Sequence, residues 1–233
     1  MNRFFYNIAI VLLAPILLIW MGLRARRAGG NWAVLSPNRF GYYPSNNAKH
    51  HGGSPIWVHA VSLGETRATQ PLIKALLDQG DTVLLTHMTA TGRAAAAAAF
   101  SDAIDRGQLI QEWLPYDFYG SSARFLDYYQ PQIGIMIERE IWPNVIAAAY
   151  RRRIPMVLAS ARFSDLSLRQ SLRMGSLMRN AYQRLSAVYA QTLADAQRLE
   201  QAGANAVRVS GNFKFDVKTP EELIRRGHEF AER

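Results

Sequence analysis

The first candidate for chemistry is a glutamate that directly follows an apolar run. Residues 56–61 form the run, and the tetrapeptide SLGE, which ends at Glu65, comes next. A carboxylate in this position can take a proton from a reacting hydroxyl group, and Gly64 lets a ligand or backbone approach closely. The alternative is a first-turn glutamate that only complements a helix dipole. For a single S-x-G-E sequence, that alternative is favoured.

A second acidic cluster repeats this layout farther along the chain. Glu138 and Glu140 follow the apolar run 133–137 and precede Pro143, which suits the first turn of a helix. The alternative is a solvated loop in which the acids pair with Arg139. Because three acids stand at the ends of two equivalent runs, the pattern favours a binding or catalytic site.

A polar loop over residues 86–92 supplies hydroxyl groups after another apolar run. Thr89, Thr91 and Gly92 lie in this loop, where they can bind sugar hydroxyls or phosphate. Threonine and glycine are also ordinary helix-capping residues, so the loop alone is a weak signal.

Several familiar chemistries have no counterpart in the sequence. No G-x-G-x-x-G follows the first run and no G-x-x-x-x-G-K-[ST] occurs, which disfavours dinucleotide and NTP enzymes. His59 and His87 have no D-x-D or H-x-x-x-H partner, so we expect structural histidines, no metal and no cofactor. The chain has 0 cysteines, which excludes a thiol nucleophile.

The elements that must position these residues alternate between strand and helix patterns. The predicted strands are 56–61, 82–86, 110–114, 133–137, 156–159, 187–191 and 207–210. The predicted helices are 71–78, 92–100, 121–129, 143–152, 166–184 and 193–201. Such alternation predicts right-handed crossovers and an α/β fold, a Rossmann-like parallel sheet sandwich. Ligands of such sheets bind beyond the carboxyl ends of the strands.

Local signals refine the predicted helix boundaries. Pro71 and Pro143 suit first-turn positions, Thr192 with Asp195 resembles a capping box, and Gly203 suits a helix end. The alanine-rich stretch 94–99 indicates a closely packed helix face.

The amino-terminal segment 4–23 is apolar and uncharged over about the length that one bilayer crossing requires. Three arginines follow it: Arg24, Arg26 and Arg27. No small-residue cleavage site precedes them, so we expect an uncleaved anchor with the rest of the chain on the cytoplasmic face of the inner membrane. Pro15 and Gly22 leave open whether the segment crosses the bilayer or lies in one leaflet.

The charge balance favours an anionic partner. The chain has 27 Lys and Arg against 18 Asp and Glu, a net charge of +9. One cluster of arginines comprises Arg151, Arg152, Arg153, Arg162, Arg169, Arg173, Arg179 and Arg184. It would hold the domain against an anionic membrane, although a solvated basic face is the alternative for about half of its members. The anchor and the lack of an aromatic-rich basic motif disfavour nucleic acid.

Five motifs, taken in order, resemble those of transferases for 3-deoxy-D-manno-oct-2-ulosonic acid (Kdo). They are 57–65 (WVHAVSLGE), 89–92 (TATG), 114–117 (LPYD), 138–144 (EREIWPN) and 211–216 (GNFKFD). The resemblance extends from the anchor to about Asp216. It implies the GT-B architecture, with an amino-terminal domain for the lipid A precursor and a carboxyl-terminal domain for the donor CMP-Kdo.

The resemblance also implies roles for individual residues. Glu65 corresponds to the catalytic base of the family. The expected acceptor-binding residues are Ser62, Gly64, Thr89, Thr91, Gly92, Glu138, Glu140 and Arg162. Two departures from the family pattern concern acceptor contacts: Arg139 replaces a small polar residue, and the sequence SARFS at 160–164 replaces a motif that normally opens with asparagine.

These observations predict four segments. Residues 1–27 form the anchor, 28–54 a connector, 55–216 the acceptor domain, and 217–233 the start of a bridge to a donor domain that is absent. We therefore expect an acceptor-binding half, inactive alone, of an enzyme that transfers Kdo to lipid A precursor in lipopolysaccharide synthesis. The alternatives are a non-catalytic, membrane-tethered binding module and another GT-B glycosyltransferase of the cell envelope.

Overall fold

Seven parallel strands form one sheet at the centre of the computed structural model, which describes residues 1–29, 32–44 and 53–216. The strands are β1 (Ile56–His59), β2 (Val83–His87), β3 (Leu109–Trp113), β4 (Ile133–Ile137), β5 (Met156–Ala161), β6 (Ala187–Ala190) and β7 (Val207–Val209). Their order is β3-β2-β1-β4-β5-β6-β7, and every neighbouring pair is parallel. The predicted bridge 217–233 lies outside the described residues.

Nine helices are present in the described part of the chain. They are α1 (Arg3–Ala28), α2 (Leu63–Asp78), α3 (Ala90–Ala99), α4 (Ser101–Asp105), α5 (Tyr119–Tyr129), α6 (Pro143–Arg151), α7 (Asp165–Arg173), α8 (Ser176–Gln183) and α9 (Leu193–Gln201). Short 3-10 helices occupy Pro37–Phe40 and Phe213–Asp216. The Rossmann-like fold and the apolar amino-terminal helix are confirmed.

The sheet separates two hydrophobic cores because successive side chains of a strand point to opposite faces. Trp57 and Leu84 belong to the larger core, whereas Val58 and Leu85 belong to the smaller one. All four side chains are completely buried. Both faces of the sheet are therefore covered, as expected for a parallel sheet.

Some helix boundaries differ from the predictions. Ser62 caps α2, so this helix begins at Leu63 and Pro71 lies inside it, which makes the first-turn prediction for Pro71 wrong. The predicted helix 166–184 is two helices, because Gly175 adopts φ +58° between α7 and α8. The capping pair is confirmed, since Thr192 Oγ1 accepts a hydrogen bond from the Asp195 amide at 3.1 Å.

The described part of the predicted connector, residues 32–44, packs onto the end of β3. Arg39 is completely buried there. Its guanidinium donates to the carbonyls of Leu114 (3.0 Å) and Trp32 (3.1 Å) and lies 4.5 Å from the ring centroid of Trp113. Burial lowers the pKa of Arg39 to about 10, which leaves it charged at neutral pH. The Arg39 guanidinium therefore holds this segment against the carboxyl edge of the sheet through hydrogen bonds and a cation–π contact.

The strand order reverses direction between β1 and β4. From β1 the chain builds outward through β2 to β3, and from β4 it builds outward through β5 to β7. Loops that leave the carboxyl ends of β1 and β4 therefore diverge and open a crevice, the usual ligand site of such sheets. The two acidic motifs of the sequence follow these two strands.

Candidate functional site

Glu65 lies in the first turn of α2, directly beyond β1. Its Oε2 accepts a hydrogen bond from the Val61 amide at 2.6 Å, and its Oε1 accepts from Ser62 Oγ at 3.2 Å. Ser62 Oγ in turn accepts from the Glu65 amide at 3.4 Å. This reciprocal capping holds the half-buried carboxylate in one orientation at the mouth of the crevice. The capping interpretation and an acid–base role are therefore compatible.

Glu138 directly follows β4, the neighbour of β1 in the sheet. Its backbone has φ +57°, a left-handed conformation that is uncommon outside glycine and that often marks functional sites. The Glu138 amide donates to the Ala159 carbonyl at 3.1 Å, and the Glu138 carbonyl accepts from the Arg162 amide at 3.3 Å. These bonds to the end of β5 and the residue beyond it offset the strain and fix the acidic loop.

The carboxylates of Glu65, Glu138 and Glu140 interact electrostatically. Burial raises the pKa of Glu65 above its ordinary value, and the charge of Glu138 raises it further. Burial, followed by the charge of Glu65, raises the pKa of Glu140 to about 7. The structure thus brings the three predicted acids together.

The loop after β2 packs against the loop after β1. Thr89 Oγ1 donates to the Val61 carbonyl at 3.0 Å and accepts from the Gly92 amide at 3.2 Å, so it caps α3. Gly92 is buried against the start of α2, whereas the Thr91 side chain is exposed. Among these three predicted acceptor residues, Thr91 is the one that faces solvent.

Lys214 is a candidate site residue that sequence reasoning did not single out. Its Nζ lies 3.2 Å from Glu138 Oε1. The preceding Asn212 accepts from the Lys214 amide at 2.9 Å and donates to Gln191 Oε1 at 3.2 Å. The segment after β7 therefore returns to the crevice and places a cation beside the acids. The motif GNFKFD was visible in the sequence, but its contact with residue 138 depends on the strand order.

Asp117 is a second residue that the candidates did not include. It is 1% exposed and accepts hydrogen bonds from the amides of Asn144 (3.0 Å) and Val145 (2.9 Å) and from the Tyr6 hydroxyl (2.9 Å). Burial raises its pKa to about 6. Asp117 caps the amino terminus of α6, the helix that follows the acidic loop, so it positions that loop.

Comparison with known proteins identifies the family of this chain. A family model described as 3-deoxy-D-manno-octulosonic-acid transferase (kdotransferase) matches residues 36–217. The chain belongs to the Kdo transferase family. A 3-deoxy-D-manno-octulosonic acid transferase of Bordetella pertussis is 53% identical over 231 residues, which are 99% of this chain and 54% of the relative. One of Haemophilus influenzae is 30% identical over 97% of this chain and 52% of the relative.

The chain thus spans about half the length of these curated Kdo transferases. Among solved structures, a UDP-GlcNAc 2-epimerase of Neisseria meningitidis superposes with a TM-score of 0.50 and 15% identity. The superposition covers 70% of this chain and 48% of the epimerase. At that identity the likeness concerns the fold alone, and it agrees with the predicted GT-B architecture.

Each of the five motifs of this Kdo transferase family member follows or contains the carboxyl end of a strand. The motifs at 57–65, 89–92, 114–117, 138–144 and 211–216 accompany β1, β2, β3, β4 and β7, respectively. In a parallel sheet these ends share one edge. The motifs are therefore scattered in sequence but gathered at one edge of the fold.

Arg162 and the histidines occupy different parts of this edge. The Arg162 side chain is exposed beyond β5, and its amide bonds to Glu138. His59 and His87 are buried, and burial lowers their pKa values to about 3 and about 4, so both stay neutral. Within residues 1–29, 32–44 and 53–216 no group of three or more potential ligands is arranged to hold a metal ion.

The packing of Gly92 leads to a stability prediction. An added Cβ would lie 3.1 Å from the Ser62 carbonyl carbon, from Thr66 Oγ1 and from Thr89 Oγ1. Gly92→Ala should therefore lower the free energy of unfolding by about 1–3 kcal/mol, as measured by urea denaturation.

Gly64→Ala is the matched control, since its Cβ would meet only Ser62 Oγ at 3.9 Å within a helix. Alanine is favoured over glycine in helices, so this variant should be at least as stable as the parent. Equal stability of the two variants would contradict the close packing of α2 and α3.

Proposed function

We propose that this chain is the acceptor-binding half of an enzyme that transfers Kdo from CMP-Kdo to a lipid A precursor at the cytoplasmic face of the inner membrane. The proposal rests on one observation: Glu65, Glu138 and Glu140 lie close enough to interact electrostatically where the strand order reverses between β1 and β4. The membership in the Kdo transferase family supports the reaction class.

Glu65 acts as the general base in this proposal. It removes the proton from a hydroxyl group of the acceptor, whose oxygen then attacks the anomeric carbon of Kdo. The bond between that carbon and the CMP phosphate oxygen breaks, and CMP leaves with the electron pair. A base works best when its pKa is near the operating pH. The raised pKa of Glu65 moves this carboxylate in that direction.

Other predicted residues would bind either the sugar hydroxyls or the phosphates of the acceptor. Glu138 and Glu140 suit sugar hydroxyls, because carboxylates accept hydrogen bonds and repel phosphate. Arg162 is exposed at the same edge and suits a phosphate of the lipid A precursor. Arg152 does not, because it forms a salt bridge with Asp127 at 2.6 Å.

The donor CMP-Kdo would be bound mainly by the other half of the enzyme. The Kdo transferases matched by this chain are about twice the matched length, and a GT-B enzyme binds its nucleotide sugar chiefly in the carboxyl-terminal domain. Orientation of donor and acceptor contributes much of the rate in such a cleft. We therefore propose that residues 1–233 alone transfer no Kdo.

A binding experiment tests this division of labour. The purified chain should bind lipid A precursor weakly and CMP-Kdo not measurably, as followed by calorimetry in detergent. The Glu138→Ala variant removes both carboxylate oxygens that would accept from sugar hydroxyls, so it should weaken acceptor binding. An acceptor affinity equal to that of the parent, or binding of CMP-Kdo alone, would contradict the proposal. Acceptor binding without any turnover in the chimera described next would favour the non-catalytic module.

The ion pair between Lys214 and Glu138 leads to a pH prediction in an active chimera, which joins residues 1–216 to the remaining half of the Bordetella pertussis relative. A base loses activity as the pH falls through its pKa. Glu138→Gln removes a charge that raises the pKa of Glu65, so the acid limb of kcat/KM should move to lower pH. Lys214→Met leaves the charge of Glu138 unpaired, which should raise the pKa of Glu65 further. The acid limb should therefore move to higher pH.

The pH profiles of the two variants serve as controls for each other. Both substitutions disturb the same salt bridge, so a purely structural effect would change the amplitude of kcat/KM and leave the limb in place. Shifts in the same direction would contradict the electrostatic coupling between Glu138 and Glu65.

A further inference from the structure

One face of the apolar helix α1 is less exposed than the other. Most of its partly or fully buried positions recur every three or four residues: Arg3, Tyr6, Asn7, Ile10, Ala14, Leu18, Met21 and Ala25; the small residues Ala9 and Gly22 are also partly buried. This spacing describes a single stripe on an α-helix. Of these positions Ala25 is fully buried and the others are partly buried, so the helix presents one less exposed stripe.

The amino-terminal end of α1 is fastened to the folded domain by polar contacts. The Met1 carbonyl accepts from the Leu177 amide at 3.0 Å. The Tyr6 hydroxyl donates to buried Asp117, and Asn7 Oδ1 accepts from Asn144 Nδ2 at 2.7 Å. Asp117 and Asn144 are buried, so these polar side chains of an otherwise apolar segment have specific partners in the domain.

The carboxyl-terminal end of α1 is fastened to the same domain. Ala25 is 8% exposed, and the guanidinium of Arg24 lies 5.9 Å from the ring centroid of Trp32. The segment that begins at Trp32 is held in turn by Arg39 and by Tyr116, whose hydroxyl donates to the Val34 carbonyl at 2.8 Å. Both ends of α1 therefore contact the same folded domain. If that domain lies on one side of a membrane, both ends of the helix lie on that side too.

The opposite face of α1 is an exposed hydrophobic surface. Its exposed apolar side chains include Phe5, Leu12, Ile16, Ile19 and Leu23, each at least half exposed. No charged residue interrupts positions 4–23. Surfaces of this length and composition are covered by hydrocarbon, and the three arginines that follow suit anionic headgroups.

We propose that α1 does not cross the bilayer but lies along one leaflet, with its less exposed stripe towards the domain and its opposite apolar face in the acyl chains. A crossing helix would separate residues 3 and 26 by a hydrocarbon core of about 30 Å, which the contacts of Tyr6 and Asn7 with the domain exclude. The Tyr6–Asp117 and Asn7–Asn144 bonds then hold the edge of the sheet that carries the acids at the membrane surface. The arrangement does not depend on the proposed reaction.

Single cysteines test this topology, because the chain contains 0 cysteines of its own. Asn2→Cys, Arg26→Cys and Asp102→Cys place thiols at exposed positions before α1, at its end and on the domain. In sealed vesicles that expose the domain, a membrane-impermeant maleimide should label all three to the same extent before detergent is added. Labelling of Asn2→Cys only after detergent would overturn the proposal.

A cross-link tests the contact itself in the membrane. Asn7→Cys with Asn144→Cys should be joined within one chain by a short bifunctional thiol reagent, since the two native side chains are hydrogen-bonded at 2.7 Å. Asn7→Cys with Asp102→Cys is the matched control and should not cross-link. Absence of the first cross-link in membranes that retain the protein would contradict the docked helix even if the labelling agreed with it.

Discussion

Glu65→Gln is expected to lower kcat of the chimera by about 10²–10⁴-fold, the usual contribution of a positioned general base. Glutamine keeps the shape of the side chain, and its carbonyl oxygen can still accept from the Val61 amide. The capping of α2 should therefore survive. KM for the lipid A precursor should change little, because the substitution removes a proton acceptor and not a binding surface.

Glu200→Gln is the control, since Glu200 is exposed on α9, away from the crevice. It removes the same charge from the protein and should leave kcat unchanged. A Glu65→Gln chimera with a kcat within a few-fold of the parent would show that Glu65 is only a helix cap. The measurement is steady-state transfer of Kdo at saturating donor and acceptor.

The second large effect concerns membrane retention. Deletion of residues 1–27 should release most of the chain from membranes, because it removes the exposed apolar face of α1. A fully buried apolar side chain contributes about 1.5–3 kcal/mol, and several such residues are exposed on this face. The basic surface should leave a remainder that high salt removes. Fractionation of membranes at low and high salt measures both parts.

The milder triple variant Leu12→Glu, Ile16→Glu and Ile19→Glu serves as the matched control for the deletion. It charges exposed positions on the apolar face and leaves the contacts of Tyr6 and Asn7 in place. It should release the chain to a similar extent while the domain keeps its unfolding midpoint. Release of the unaltered chain by high salt alone would contradict hydrophobic anchoring.

Local patterns were sufficient to predict the strands and most of the helices. The apolar runs predicted the ends of every strand to within two residues. Glu65 was expected near a helix start, and it lies in the first turn of α2 because Ser62 caps that helix. Pro71 misled the prediction of α2, since the Ser62 cap nine positions earlier outweighs a proline in the interior. Gly175 was not recognised as a break because the flanking sequences have the same helical pattern.

The assembly of the site could not be predicted, because it depends on contacts between distant residues. The neighbours of β1 in the sheet are β2 and β4, and nothing near residue 65 indicates that β4 is the second of them. The same strand order brings Lys214 to Glu138, 76 positions away in sequence. The bond between Tyr6 and Asp117 joins residues 111 positions apart, and no local pattern in residues 4–23 indicates it.

The most direct test compares transfer by residues 1–233 with transfer by the chimera, using CMP-Kdo and lipid A precursor under identical conditions. If the chain supplies the acceptor side of the cleft, the chain alone should give no Kdo-containing lipid. The chimera should give product, and Glu65→Gln should abolish most of it. Transfer by residues 1–233 alone, or an inactive chimera that folds and binds both substrates, would contradict the assignment of this chain as an acceptor-binding half.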